Sequence, residues 1–258
     1  PAEGRVAIAW REVAGAYGDG TPFTLLEPAV SVTHLAFGPL AVASAGAADG
    51  AAVVAGTGVA GARAGAVLSA RTAPVVFGLG LLEAVPEAAI VARADPNDTD
   101  GDGISGRPNR IPVGPSGRRA LGRFGWKAGQ PSVEQQAVAA FLDDLGITSA
   151  HRPIANCPPA QVACAAAPDG GRPELDAVTL ERIVHYHRTL AAPQARGATS
   201  PTVAAGASLF VAAGCDACHV PSLVTGPASA VADPALADQA FAPYTDLLLH
   251  DMGPGLAD

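Results

Sequence analysis

The sequence predicts a mainly α-helical protein with long loops and a few short strands near its N-terminus. Three observations lead there. In the second half of the chain, apolar residues recur at helical spacing behind recognisable caps. Long glycine- and proline-punctuated stretches separate them. Alternating, turn-broken pieces are confined to the start of the chain.

Val6 to Val32 reads as short extended pieces, with turn signals at Gly18-Asp19-Gly20 and Thr21-Pro22. Leu40 to Leu68 is rich in Ala, Gly and Val and nearly uncharged. It fits either a buried small-residue helix or extended structure with glycine turns. Pro74 to Leu82 is apolar with two glycines and should pack tightly. Pro86-Glu87 opens a short helix, with an acidic residue at its positive end. Ser132-Val133-Glu134-Gln135 is a capping-box start for a helix running through Val138 and Phe141 to a Gly146 stop. Pro173 to Leu190 is a further helix, with Leu175, Val178, Ile183, Val184 and Leu190 as its expected buried stripe. After a small-residue linker at Ala195 to Pro201, Thr202 caps a helix carrying Gly206, Leu209 and Phe210.

The 258 residues suffice for one large domain or two modest ones. Hydrophobic residues make up 49% and aromatics only 5%, so the core must be built from small side chains. The net charge of −8 excludes nucleic acid as a partner, because phosphate binding needs a basic face. No apolar run is long enough to span a membrane. The chain opens without methionine or signal peptide, and its ends read as those of a piece of something longer.

Cys215-Asp216-Ala217-Cys218-His219 has the C-x-x-C-H spacing of covalent haem attachment. Two thiols add to the two vinyl groups on one porphyrin edge, and the next residue, His219, is then held beneath the iron. The rival readings are a thioredoxin-like dithiol, which would need a βαβ context, and half of a zinc site, which would need a second ligand pair. Neither context is visible, and the spacing of Gly206, Leu209-Phe210 and Cys215 is that of the first helix of cytochrome c domains. One haem c is therefore expected here, on Cys215, Cys218 and His219. Its second axial ligand is Met252 or His250. A thioether would favour a higher potential and a second imidazole a lower one; both side chains also admit a purely packing role. His185 and His187 are read as packed or surface histidines, since positions two apart face different directions on a helix.

Asp98, Asp100, Asp102 and Gly103 occupy positions 1, 3, 5 and 6 of a D-x-D-x-D-G calcium loop, preceded by Asp95. Position 12 is Asn109 rather than Glu, so the usual bidentate ligand is missing. Closely spaced carboxylates repel without a cation, and calcium is the expected occupant; a solvated acidic turn is the alternative. Cys157 and Cys164 are close enough in sequence for a loop-closing disulfide. Haem c attachment takes place outside the cytoplasm, where such bonds persist. Trp126 lies among cations in Gly122-Arg123-Phe124-Gly125-Trp126-Lys127-Ala128, and on residue types alone it reads as packed on a core edge.

Several stretches together resemble the bacterial di-haem oxidoreductase family, also described as thiol oxidoreductases or di-haem cytochrome c peroxidase-like proteins. They are Ala73-Pro74 with Gly78 to Ala84, Asp95 to Gly106, Gly122 to Ala128, Phe141 with Leu145 to Thr148, the haem motif, and Pro243 to Gly253. The resemblance implies two c-type haems, a mainly helical periplasmic fold, and kinship with di-haem peroxidases. This chain holds a single C-x-x-C-H, so the family's other haem motif would precede Pro1, and the family's chain would continue past Asp258. Residues 1–197 would then be an incomplete first haem domain containing the calcium-type loop, and 198–258 the start of a C-terminal cytochrome c domain. By the same resemblance Trp126 is the aromatic between two haems, able to relay electrons, and calcium lies near the haem–haem interface. The expected partners are hydrogen peroxide and a small electron donor or acceptor protein. A plain electron-transfer cytochrome, or one serving iron uptake, is the alternative.

Overall fold

The computed structural model describes residues 5–33, 73–114, 117–157 and 162–253. The stretch from Leu40 to Leu68, with its two open readings, lies outside them. Among the described residues there are six α-helices and four two-stranded antiparallel sheets. The helices account for a minority of these residues, so the mainly helical expectation holds only loosely. Short strands also occur well beyond the N-terminus. Among the described residues, no helix is long and apolar enough to cross a membrane.

The N-terminal pieces form one long hairpin rather than several short ones. Strand β1 (Arg5–Ala16) pairs with β2 (Pro22–Thr33) over 12 residues each, from Arg5 opposite Thr33 to Ala16 opposite Pro22. The turn is where the glycines place it: Tyr17 N–H donates to Thr21 O, and Asp19 accepts from Thr21 N–H.

The chain divides into two compact units, one of residues 1–73, 141–175 and 252–258, the other of 74–140 and 176–251. The second unit holds α1 (Leu79–Ala84), α2 (Glu87–Val91) and the short strands β3 (Gly106–Arg107), β4 (Arg110–Pro112), β5 (Arg119–Leu121), β6 (Leu223–Val224), β7 (Ala240–Phe241) and β8 (Leu249–His250). Its core is Val85, Ile90, Leu121, Leu223 and Leu247, with Val220, Phe241 and Leu248 against it. Val220 and Leu223, just after Cys215-Asp216-Ala217-Cys218-His219, join that segment to this core.

Helix α3 (Val133–Asp143) begins where the capping box places it, with Ser132 Oγ accepting from Gln135 N–H. It stops at Gly146, whose φ of 72° closes the last turn. Helix α4 is the short Val162–Ala165. Helix α5 (Ala177–Thr189) is shorter than predicted because Asp176, not Pro173, caps it, accepting from Thr179 N–H. Its buried stripe differs accordingly: Leu180 and Val184 face inward while Val178 is exposed, and Leu175 is buried outside the helix. Helix α6 (Pro201–Ala212) has Ser200 at its cap position and Pro201 in its first turn, slightly ahead of the expected Thr202.

The tight packing expected of Pro74 to Leu82 is found at Gly80, where a Cβ would lie 2.1 Å from Arg188 O of α5. Glu83 extends this joint. It accepts from Arg188 Nε and Nη2 at 2.6 and 3.2 Å and from Val133 N–H at 2.8 Å, so one carboxylate ties α1, α5 and the start of α3. Glu83→Gln is expected to destabilise the protein by about 2 kcal/mol, the scale of hydrogen bonds to a charged group. In urea denaturation the midpoint should fall at constant slope. A cycle with Arg188→Ala should show strong coupling, and additive effects would refute the joint.

In the first unit, Cys157 and Cys164 are joined as a disulfide. Closing so short a loop contributes about 2 kcal/mol in the chain-entropy account. Nearby, Glu174 accepts from Thr148 N–H, Gly170 N–H and the Thr148 hydroxyl. These bonds, the Thr148 backbone one foremost, hold its carboxyl below the usual range. The folded value being depressed, this clasp is complete at neutral pH and is lost as the pH falls through that value.

Candidate functional site

Helix α6 runs directly into the haem motif. Gly214, at φ 73°, turns the chain out of the helix, and Cys215–Ala217 form a single 3-10 turn. His219 N–H donates to Cys215 O and closes the loop. Cys215 and Cys218 are both free thiols and both half-buried. Burial, then Asp246 and Asp102, pushes the Cys218 thiol above its ordinary pKa. A nucleophilic dithiol needs the opposite shift. Among the described residues, the group of three or more converging His, Cys, Asp or Glu ligand atoms is Asp98, Asp100 and Asp102, so no zinc-type cluster forms on the two thiols.

His219 is exposed, and its ring is oriented. Its Nδ1–H donates to Tyr244 O at 3.0 Å, which fixes the tautomer and leaves Nε2 as the nitrogen able to bind iron. Phe210 of α6 stands beside the ring with centroids 6.3 Å apart, and meets Tyr244 edge-on at 5.5 Å. The segment after Pro243 is bent to make these contacts. Tyr244 and Leu247 both take left-handed backbone, φ 52° and 62°, which disfavours each by about 1 kcal/mol. Hydrogen bonds hold the bend. Thr245 Oγ1 accepts from Leu247 N–H, Asp246 Oδ1 accepts from Leu248 N–H, and Asp246 N–H donates to Cys218 O.

Asp246 is buried, and its other carboxylate oxygen accepts from His250 Nε2–H at 2.7 Å. His250 Nδ1 lies 3.9 Å from Cys218 Sγ. His250 sits in β8, paired with Gly106 of β3, where an added Cβ would crowd the ring, lying 2.8 Å from Leu248 Cδ1 and 3.2 Å from His250 Cε1.

The residues suit a covalently held macrocycle: two unbridged thiols beside one imidazole whose second nitrogen is already engaged. Helix α6 supports the fit. It buries none of its residues, yet presents Val203, Leu209 and Val211, with Leu209 69% exposed.

A family model described as "di-haem oxidoreductase, putative peroxidase" matches residues 16–258, all but the first fifteen. The chain belongs to this family. No curated protein and no solved structure matches it significantly. Membership makes the protein one of a haem-dependent oxidoreductase family, in agreement with the resemblance drawn from its motifs.

In this di-haem oxidoreductase the other predicted site residues fall as follows. Asp98, Asp100 and Asp102 each offer a carboxylate oxygen within 4.8 Å of the others. The loop supports them from within, Asp98 accepting from Gly103 N–H and Asp102 from Ile104 N–H. Asp95 does not join them; its carboxylate accepts from the backbone and hydroxyl of Thr99. Asn109, at the twelfth loop position, is likewise directed elsewhere, donating to Lys127 O and Ala128 O. It thereby braces the Trp126 segment. Trp126 is 57% exposed, whereas Phe124, two residues earlier, is buried; Phe124 takes the core position that residue types alone suggested for Trp126. Met252 is 66% exposed. His185 is exposed, and His187 is half-buried with its Nδ1 donating to Ile183 O.

Sequence reasoning missed Asp246, Tyr244, Gly106 and Asn109. A signal existed for Asp246, since Thr-Asp ahead of a bend is a local hydrogen-bonding pair. The other three act through a main-chain carbonyl, a missing Cβ and a long-range amide contact, none of which a spacing reveals.

Proposed function

We propose that this oxidoreductase carries one haem c on Cys215, Cys218 and His219, works in the periplasm or another extracytoplasmic compartment, and performs peroxidase-like chemistry. The observation that carries this reading is the His219 Nδ1–H bond to Tyr244 O beside two free thiols. When bound, the haem supplies one-electron redox chemistry whose potential is set by axial ligation and burial. The chain's own residues attach it through Cys215 and Cys218, offer it His219 Nε2, and flank that imidazole with Phe210. Met252 is the thioether candidate for the second axial position. Residues 198–258 are read as belonging to the cytochrome c domain that contains this haem, and 1–197 as belonging to the domain of a second one.

Trp126 is the proposed electron relay between the two haems. Its exposed indole stands on a loop that Asn109 braces through Lys127 O and Ala128 O. Hydrogen peroxide is the proposed substrate and a small redox protein the proposed electron donor. The test has two parts. A pyridine haemochrome spectrum should show c-type haem at this motif. Peroxide should then be turned over by the pre-reduced protein, and cyanide should bind an exchangeable axial position. Covalent haem without either response would mark a plain electron carrier. Absence of covalent haem would defeat the reading altogether.

We also propose calcium at Asp98, Asp100 and Asp102, where hard oxygen ligands alternate along a glycine-turned loop. Chelation is expected to lower the melting temperature, and added calcium to restore it. In Asp100→Asn with Asp102→Asn the melting temperature should no longer respond to calcium. Equal responses in variant and parent would refute the site.

A further inference from the structure

We propose that His250 is not an iron ligand but the residue that positions Cys218 for its thioether bond, with Asp246 orienting it. This rests on the haem reading above. A distal ligand needs an imidazole nitrogen with no other partner. His250 has none to offer: Nε2 is on the buried Asp246 carboxylate at 2.7 Å, and Nδ1 faces Cys218 Sγ at 3.9 Å. A carboxylate only accepts, so Nε2 carries a proton, and in the neutral ring Nδ1 is then an acceptor. Before attachment, the Cys218 thiol stands beside that acceptor as a donor. Its hydrogen bond directs Sγ along a defined line. Asp246 fixes the other end by donating its N–H to Cys218 O, so the ring and the cysteine backbone are held by the same residue. Gly106 lies against the ring, an added Cβ coming within 3.2 Å of His250 Cε1.

Attachment is an addition without net oxidation. The S–H bond and the vinyl π bond break; Sγ bonds the inner vinyl carbon, and the hydrogen ends on the outer one. What the thiol needs is placement, and His250 supplies it.

The test isolates Cys218. In holoprotein made with the haem-attachment machinery in a Cys215→Ala background, covalent haem at this motif depends on Cys218 alone. His250→Gln keeps an amide near the Nε2 position and the Asp246 contact but removes the group facing Cys218. His250→Asn keeps an amide near the Nδ1 position. The expectation is that Gln lowers acid-stable haem about ten-fold, the scale of losing an orienting partner, while Asn retains most of it. With both cysteines present, the low-spin spectrum of His250→Gln should match the parent's. Equal haem yields in Gln, Asn and parent would overturn the proposal. So would loss of the low-spin signature in both variants, which would assign His250 to iron. A parent with both cysteines but no covalent haem would instead defeat the haem reading itself, a result distinguishable from either.

Discussion

Cys215→Ala combined with Cys218→Ala is expected to abolish covalent haem at this motif, whereas Cys157→Ser combined with Cys164→Ser should leave it intact. The four cysteines are two chemically different pairs. Cys157 and Cys164 already satisfy one another as a disulfide. Cys215 and Cys218 remain thiols although only three positions apart, and Cys218 is pushed away from the thiolate by burial and by the carboxylates of Asp246 and Asp102. Such a thiol is a poor redox nucleophile but a serviceable partner for a vinyl group brought to it. The double alanine variant should therefore lose the acid-stable c-type spectrum. It should also lose stability, since any group that binds only the folded state stabilises it by mass action, and Val203, Leu209 and Val211 of α6 would keep their exposed apolar surface. The disulfide variant should lose about 2 kcal/mol of stability by the loop-closure argument and keep its spectrum. Haem retained after removal of Cys215 and Cys218 would contradict the site; haem lost with Cys157 and Cys164 would show that the two pairs are not independent.

The features legible in the sequence were those written in local chemistry. Ser132 caps its helix and Gly146 ends it because a hydroxyl and a missing Cβ act within a few residues. The C-x-x-C-H and D-x-D-x-D-G spacings are local in the same way, each a short run that the structure folds into a single turn or loop. Errors arose where neighbouring residues compete for the same role. Pro173 looked like a helix start, but Asp176 offers the side-chain cap. Val178 looked buried by periodicity, yet Leu180 is the residue that faces inward. Asp95 belongs by sequence to the acidic loop, and Thr99 takes its carboxylate. The surroundings of His250 and Trp126 were illegible because they include partners far away in the chain. Cys218 and Gly106 stand beside the His250 ring, and Asn109 braces the segment that carries Trp126.

Gly122→Ala is expected to destabilise the protein by about 3 kcal/mol, at the upper end for overpacking, while Gly129→Ala in the same loop should be nearly neutral. An ideal Cβ on Gly122 would stand 1.7 Å from Ala128 O and 2.8 Å from Ala128 C, whereas one on Gly129 meets nothing within 4 Å. The obstacle is backbone, so no rotamer change relieves it. Relief requires moving residues 122–130, which are fastened on several sides. Gly122 N–H donates to Asn109 O at 2.8 Å, Arg123 and Phe124 N–H both donate to Gln130 O, and Asn109 Nδ2 holds the carbonyls of Lys127 and Ala128. Arg123 Nη1 reaches back to Leu82 O and Val85 O and ties the loop to the end of α1. Opening the loop therefore breaks several bonds together, and it displaces Trp126. In a Trp10→Phe background the emission of Trp126 should shift in Gly122→Ala and not in Gly129→Ala. If Trp126 relays electrons, inter-haem transfer in the holoprotein should slow in Gly122→Ala more than the stability loss alone explains, because tunnelling falls steeply with distance. An unchanged transfer rate in folded Gly122→Ala, with the emission shifted, would remove Trp126 from the electron path while leaving the packing argument standing.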